Sequence, residues 1–203
     1  MTDERSVNWA ELIHHKRLDL SKKDLTSLNG IAKCKEVTWL KLSNNAIESL
    51  QCLKRLKNLV VLNASNNKIS KIHHILHLQD LKALILNNNC LASVQGIEKL
   101  SCLNALVLSQ NKIESIDISS LTNISKLSLS HNQFKEVPDL QNLSNLKELR
   151  MNDNQIEDIP ASICHCKSLK LADFGNNRIS SFGFLEKLSK TGIENLNLKG
   201  NLH

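Results

Sequence analysis

An asparagine recurs along this chain at Asn45, Asn67, Asn89, Asn111, Asn132, Asn154, Asn177 and Asn201, at successive separations of 22, 22, 22, 21, 22, 23 and 24 residues. Each closes one local pattern, LxxLxLxxN, filled by Val37, Leu40 and Leu42 before Asn45, and by Leu81, Leu84 and Leu86 before Asn89. A unit this short cannot bury its apolar face alone. Its only stable arrangement is to stack on its neighbours, so the repeat dictates a solenoid. A degenerate unit stands in front, with Leu18, Leu20 and Leu25 in register but Lys23 in place of the asparagine.

Inside a unit the apolar residues keep two rhythms. Alternation around Leu40 and Leu42 marks a short strand with one face buried. The remainder repeats every third residue, as in Ile47, Leu50, Leu53, Leu56 and Leu59, which suits 3₁₀ turns. The expected fold class is therefore an α/β solenoid, a horseshoe with a parallel concave β-sheet of about nine strands and a convex side of 3₁₀ turns and short helices. The asparagine amides, holding both a donor and an acceptor, are expected to satisfy backbone groups at the bend and pass that bonding from coil to coil.

These motifs resemble the leucine-rich-repeat superfamily. The 22-residue length and the continuation seen in Asn67-Lys68-Ile69 and Asn111-Lys112-Ile113 are similar to its phosphatase-1-regulator-like class, while Val137-Pro138 and Ile159-Pro160 look like a 23-residue type. The resemblance implies a module that binds other proteins. It leaves open a scaffold or adaptor, a regulatory or targeting subunit of an enzyme such as protein phosphatase 1, and a component of an RNA–protein, cytoskeletal or ciliary assembly.

Residues 1–14 are expected to form an N-terminal capping helix, starting at Thr2, Asp3 and Glu4 and covering the first coil with Val7, Trp9, Ala10, Leu12 and Ile13. Residues 15–203 form the repeat domain, of about nine repeats with the last incomplete. No C-terminal cap follows Gly200-Asn201-Leu202-His203, so Leu196, Leu198 and a strand edge are expected to be open. A shortened chain, a short splice form, or self-association through that end would account for this.

Residues flanking the strand leucines point to the concave face. One row runs Arg17, Trp39, Val61, Ala83, Ala105, Lys126, Glu148, Leu171; the next runs Lys41, Asn63, Ile85, Val107, then Arg150 and Asp173. The first half is apolar and the second charged. A contiguous apolar patch marks an interaction surface, and Trp39 is the expected anchor. β-propensity alone would also place Trp, Ile and Val on strands.

Composition narrows the functions further. The chain has 41% hydrophobic residues, 3% aromatic ones and no tyrosine, so the core is aliphatic. A net charge of +6 admits RNA or an acidic protein as partner, but the lysines are interspersed with acids, and direct nucleic-acid binding ranks below protein binding. The start of the chain lacks a signal-like apolar run and no stretch is long enough to span a bilayer. Cytoplasm, nucleus or both are the expected locations, with the six cysteines as reduced thiols. His73-His74 with His77, and Cys164-His165-Cys166, lack a complete ligand set, so neither a metal nor another cofactor is expected. No phosphate loop, nucleophile motif or acid/base constellation is present, and an enzyme is not expected.

Overall fold

The computed structural model describes residues 7–181 and 183–201. Nine three-residue strands form one parallel sheet in chain order: β1 (Arg17–Asp19), β2 (Trp39–Lys41), β3 (Val61–Asn63), β4 (Ala83–Ile85), β5 (Ala105–Val107), β6 (Lys126–Ser128), β7 (Glu148–Arg150), β8 (Leu171–Asp173) and β9 (Asn195–Asn197). Each pairs with the next at the repeat register, Leu40 against Leu62 and Leu62 against Leu84. A one-residue slip would turn every leucine outward, so the apolar pattern fixes this register.

The return segments cross behind the sheet as 3₁₀ turns at Ile31–Lys33, Gln51–Arg55, His73–Ile75, Ile97–Lys99 and Ala161–His165. The fifth and sixth coils use plain turns instead, and the eighth uses a short helix, α2 (Phe184–Leu188). Both apolar rhythms end in one continuous core: Leu40, Ile47, Leu50, Leu53 and Leu56 are all fully buried. Cys34 and Cys166 are core residues too, occupying positions that carry leucine in other coils.

The asparagine column joins the coils. Asn89 Nδ2 donates to the carbonyls of Ala64 and Leu86, each at 3.0 Å, and its Oδ1 accepts the Ile69 N–H at 2.9 Å. The same pattern runs through Asn45, Asn67, Asn111, Asn132, Asn154, Asn177 and Asn201. At the first bend Asn45 Oδ1 takes two N–H groups, those of Lys23 and Leu25, each at 3.0 Å. That is how a unit with lysine at the key position still closes.

A second column runs beside the first. The residue before each asparagine is left-handed, with Asn44, Asn66, Asn88, Gln110, His131, Asp153 and Asn176 at φ between 53° and 59°. Asparagine and aspartate tolerate this region better than other non-glycine residues. Their side chains also link coils: Asn88 Nδ2 donates to Asn66 Oδ1 at 2.8 Å, and Asn66 to Asn44 at 3.0 Å.

The ends differ from expectation in part. The start assigned to Thr2, Asp3 and Glu4 lies outside the described residues. Among those described the helix is a single turn, α1 (Trp9–Leu12), rather than one reaching residue 14. The His15 N–H bonds back to the Leu12 carbonyl and the chain turns directly into β1. Ala10 is exposed rather than part of the apolar face, whereas Val7, Trp9 and Leu12 pack on the core. Trp9 lies over Gly30, whose φ of 98° no β-carbon residue favours and where an added Cβ would sit 2.3 Å from the indole. At the other end Leu196 on β9 is 36% exposed, and Leu198 is half-buried.

Candidate interaction surface

The strand register carries the two outward rows across the sheet without a break. Arg17, Trp39, Val61, Ala83, Ala105, Lys126, Glu148 and Leu171 align as neighbours on successive strands. So do Lys41, Asn63, Ile85, Val107, Ser128, Arg150 and Asp173. Trp39, Val61, Ala83, Ile85, Ala105 and Val107 are all half-buried, each presenting part of its side chain at the concave face. Four consecutive strands, β2 to β5, thus share one apolar strip about 14 Å across at the usual strand spacing. Ala83 and Ala105 continue the row of Trp39 and Val61 across the register, and Ile85 and Val107 stand two residues further along the same two strands.

The strip ends in charge at both sides. Arg17 lies over the Trp39 ring, its Cζ 4.7 Å from the centroid, so a cation covers part of the anchor residue. Lys41 pairs with Asp19 at 3.3 Å. On the far side Glu148 sits between Lys126 at 3.1 Å and Arg150 at 2.6 Å; the Arg150 contact is a close ion pair without hydrogen-bond alignment. Asn63 and Asp173 are partly committed to the scaffold. The Asn63 side-chain oxygen accepts from the Ser65 N–H and hydroxyl, and Asp173 Oδ1 accepts from the Gly175 N–H and the Asn197 amide.

Burial acts to raise the Glu148 pKa, but the attraction of Lys126 and Arg150 outweighs it and holds the carboxyl below its ordinary value of 4.5. A depressed acid stabilises the fold above its unfolded pKa and loses that contribution as pH falls through the folded value. The stability difference between the native protein and Glu148→Gln is therefore expected to be full at pH 7 and to shrink below about pH 4.5, measured by urea melts across the range. A difference that persists unchanged at pH 3 would contradict the pairing.

His73 and His77 face solvent, but His74 is half-buried with Nδ1 shielded and unbonded among the described atoms. Burial first, then the charges of His73, Lys54 and Lys71, keep its pKa below the ordinary value. Among the described residues no cluster of three or more His, Cys, Asp or Glu is arranged to hold a metal. All six cysteines are free.

Comparison with known proteins bears on the fold. A family described as Leucine Rich repeats (2 copies) matches residues 122–163. The fold of the chain is that of leucine-rich-repeat proteins. Its structure superposes on a leucine-rich-repeat protein of Leptospira interrogans with a TM-score of 0.85 at 27% identity, over 92% of this chain and 49% of that one. The chain thus spans about half the length of that relative. Internalin C2 of Listeria monocytogenes aligns at 29% identity and a TM-score of 0.84, covering 95% of this chain and 84% of the internalin. The leucine-rich-repeat ectodomain of the Arabidopsis thaliana receptor kinase GASSHO1/SCHENGEN3, solved in complex with Casparian strip integrity factor 2, aligns at 26% identity and 0.77, over 87% of this chain and 23% of that one. No curated protein matches the sequence significantly. Among the described residues no helix is long and apolar enough to cross a membrane.

Proposed function

We propose that this leucine-rich-repeat chain is a protein-interaction scaffold inside the cell, in the cytoplasm or nucleus, that seats a partner protein on its concave face. The observation that carries the reading is the uncharged strip of Trp39, Val61, Ala83, Ile85, Ala105 and Val107 across β2–β5. Partly exposed apolar surface that is contiguous and rimmed by charge is what partner cores use. The flanking ion pairs set register more than affinity, since exposed pairs are individually weak. The receptor ectodomain in complex with its factor is a precedent for binding by this fold, and the free cysteines favour a reducing compartment.

The test is affinity capture from cell extract at low and high salt, comparing the native protein with a Trp39→Ala/Ile85→Arg variant whose fold is checked by circular dichroism. Partners held by the strip are expected to survive high salt and to be lost with the variant. A captured set that the variant leaves unchanged rules out the concave strip.

A further inference from the structure

The repeat length places residues 22 apart at equivalent points of successive coils wherever the strands stay in 22-residue register, as they do from β1 to β5. On the convex side that register aligns Lys33, Arg55, His77 and Lys99, one from each of four consecutive coils, and all four are exposed. Lys35 and Lys57 stand two residues further on in the first two of these coils. No ion pair among the described residues involves any of these six. The acids nearest in sequence, Glu36, Asp80 and Glu98, lie one to three residues away in their own coils, and Glu36 faces His14 at 3.7 Å.

The charge of the whole chain has the same asymmetry. Residues 1–100 hold 15 Lys and Arg against 9 Asp and Glu, a net of 15 − 9 = +6, whereas residues 101–203 hold 11 of each and are neutral. Like charges stacked on adjacent strands or coils repel. A column that carries Lys33 and Arg55 on adjacent coils and Lys99 two coils on, with no ion-pair partners among the described residues, therefore lowers stability where it stands, and it is complementary to an anion supplied from outside.

We infer that the convex column Lys33–Arg55–His77–Lys99 is a docking track for an extended, Asp/Glu-rich segment of a partner protein. It is separate from the concave strip and independent of it. An extended chain repeats same-face side chains about every 7 Å, while the coils are stacked at upwards of about 4.8 Å, so alternate acidic residues of such a segment can meet successive coils. Nucleic acid fits less well. Single strands bind where bases stack on aromatic side chains, and residues 29–36, 51–58, 73–80 and 95–102 contain no Phe, Trp or Tyr. The column also stops after four coils, since the equivalent residues further on are Ser120 and Asn142.

A fluorescein-labelled decapeptide of alternating Glu and Ser, followed by anisotropy at low salt, tests the track. Saturable binding is expected, weakened at least tenfold by Arg55→Glu/Lys99→Glu, weakened less by Arg55→Gln/Lys99→Gln, and unchanged by Trp39→Ala. Because the column repels itself, the neutral variant should melt no lower than the native protein. Absence of binding overturns the inference, as does an equal loss with the distant control Lys112→Glu/Lys187→Glu. Equal or tighter binding of a ten-residue oligouridylate would assign the track to nucleic acid instead, and a neutral variant that melts lower would make the column structural. A retained peptide response with loss of the captured partners in Trp39→Ala/Ile85→Arg keeps the two surfaces distinct.

Discussion

Asn89→Ala is expected to destabilise the protein by about 2–6 kcal/mol. The Ile69 N–H, donating to Asn89 Oδ1 at 2.9 Å in a buried setting, would be left with no acceptor. An orphaned buried donor costs roughly 1–3 kcal/mol. The two carbonyls fare better, because the Ala64 carbonyl also accepts from Asn67 and the Leu86 carbonyl from Asn111. They lose one bond each rather than all bonding, adding about 0.5–1.5 kcal/mol apiece at most. Asn89→Asp should be no milder at neutral pH, since it keeps the acceptor for Ile69 but turns a charged oxygen towards those carbonyls. Denaturant melts of the three proteins would decide this, and a loss under about 0.5 kcal/mol, within the range of ordinary surface substitutions, would contradict the ladder account.

Phe134→Ala should cost about 3–5 kcal/mol, the range for deleting a buried aromatic ring. Phe134 is 1% exposed and takes the place that Ile47, Ile69, Ile113 and Ile156 occupy in other coils. Its backbone also joins the ladder, with its N–H donating to Asn154 Oδ1 at 3.1 Å and its carbonyl accepting from Gln155. Each coil touches only its neighbours, so a cavity here weakens the junctions on both sides of the sixth coil at once. Unfolding followed by two probes, one in each half, should therefore change from a single transition to two. One unsplit transition with a small shift would mean that coupling along the column does not depend on this residue.

Much of this was legible in the residues because the repeat fixes so many things together. Once Asn67 and Asn89 are placed, the strands, the buried leucines and the outward rows follow from period two and a spacing of 22. What escaped the sequence reading is what depends on neighbours across coils. Arg17 covering Trp39, the shielding of His74, and the commitment of Asp173 to Gly175 and Asn197 each require the side chains of adjacent coils to be seen together. The left-handed column was readable in hindsight from the run of Asn44, Asn66, Asn88 and Asp153, since those residue types mark that conformation. The described N-terminal helix is a single turn, and helical periodicity over a few residues says nothing of where a chain must turn to enter β1. The convex column was readable as a spacing of 22 between basic residues, but its lack of ion-pair partners was not.

The concave strip is the central claim, and site-specific photo-crosslinking tests it most directly. A benzophenone side chain would replace Asn63, beside the strip on β3, and in a second protein Ser120 on the convex side. Partner adducts are expected from position 63 and not from position 120, and they should disappear when Trp39→Ala/Ile85→Arg is added. Adducts from position 120 alone, or from position 63 regardless of that variant, would contradict it.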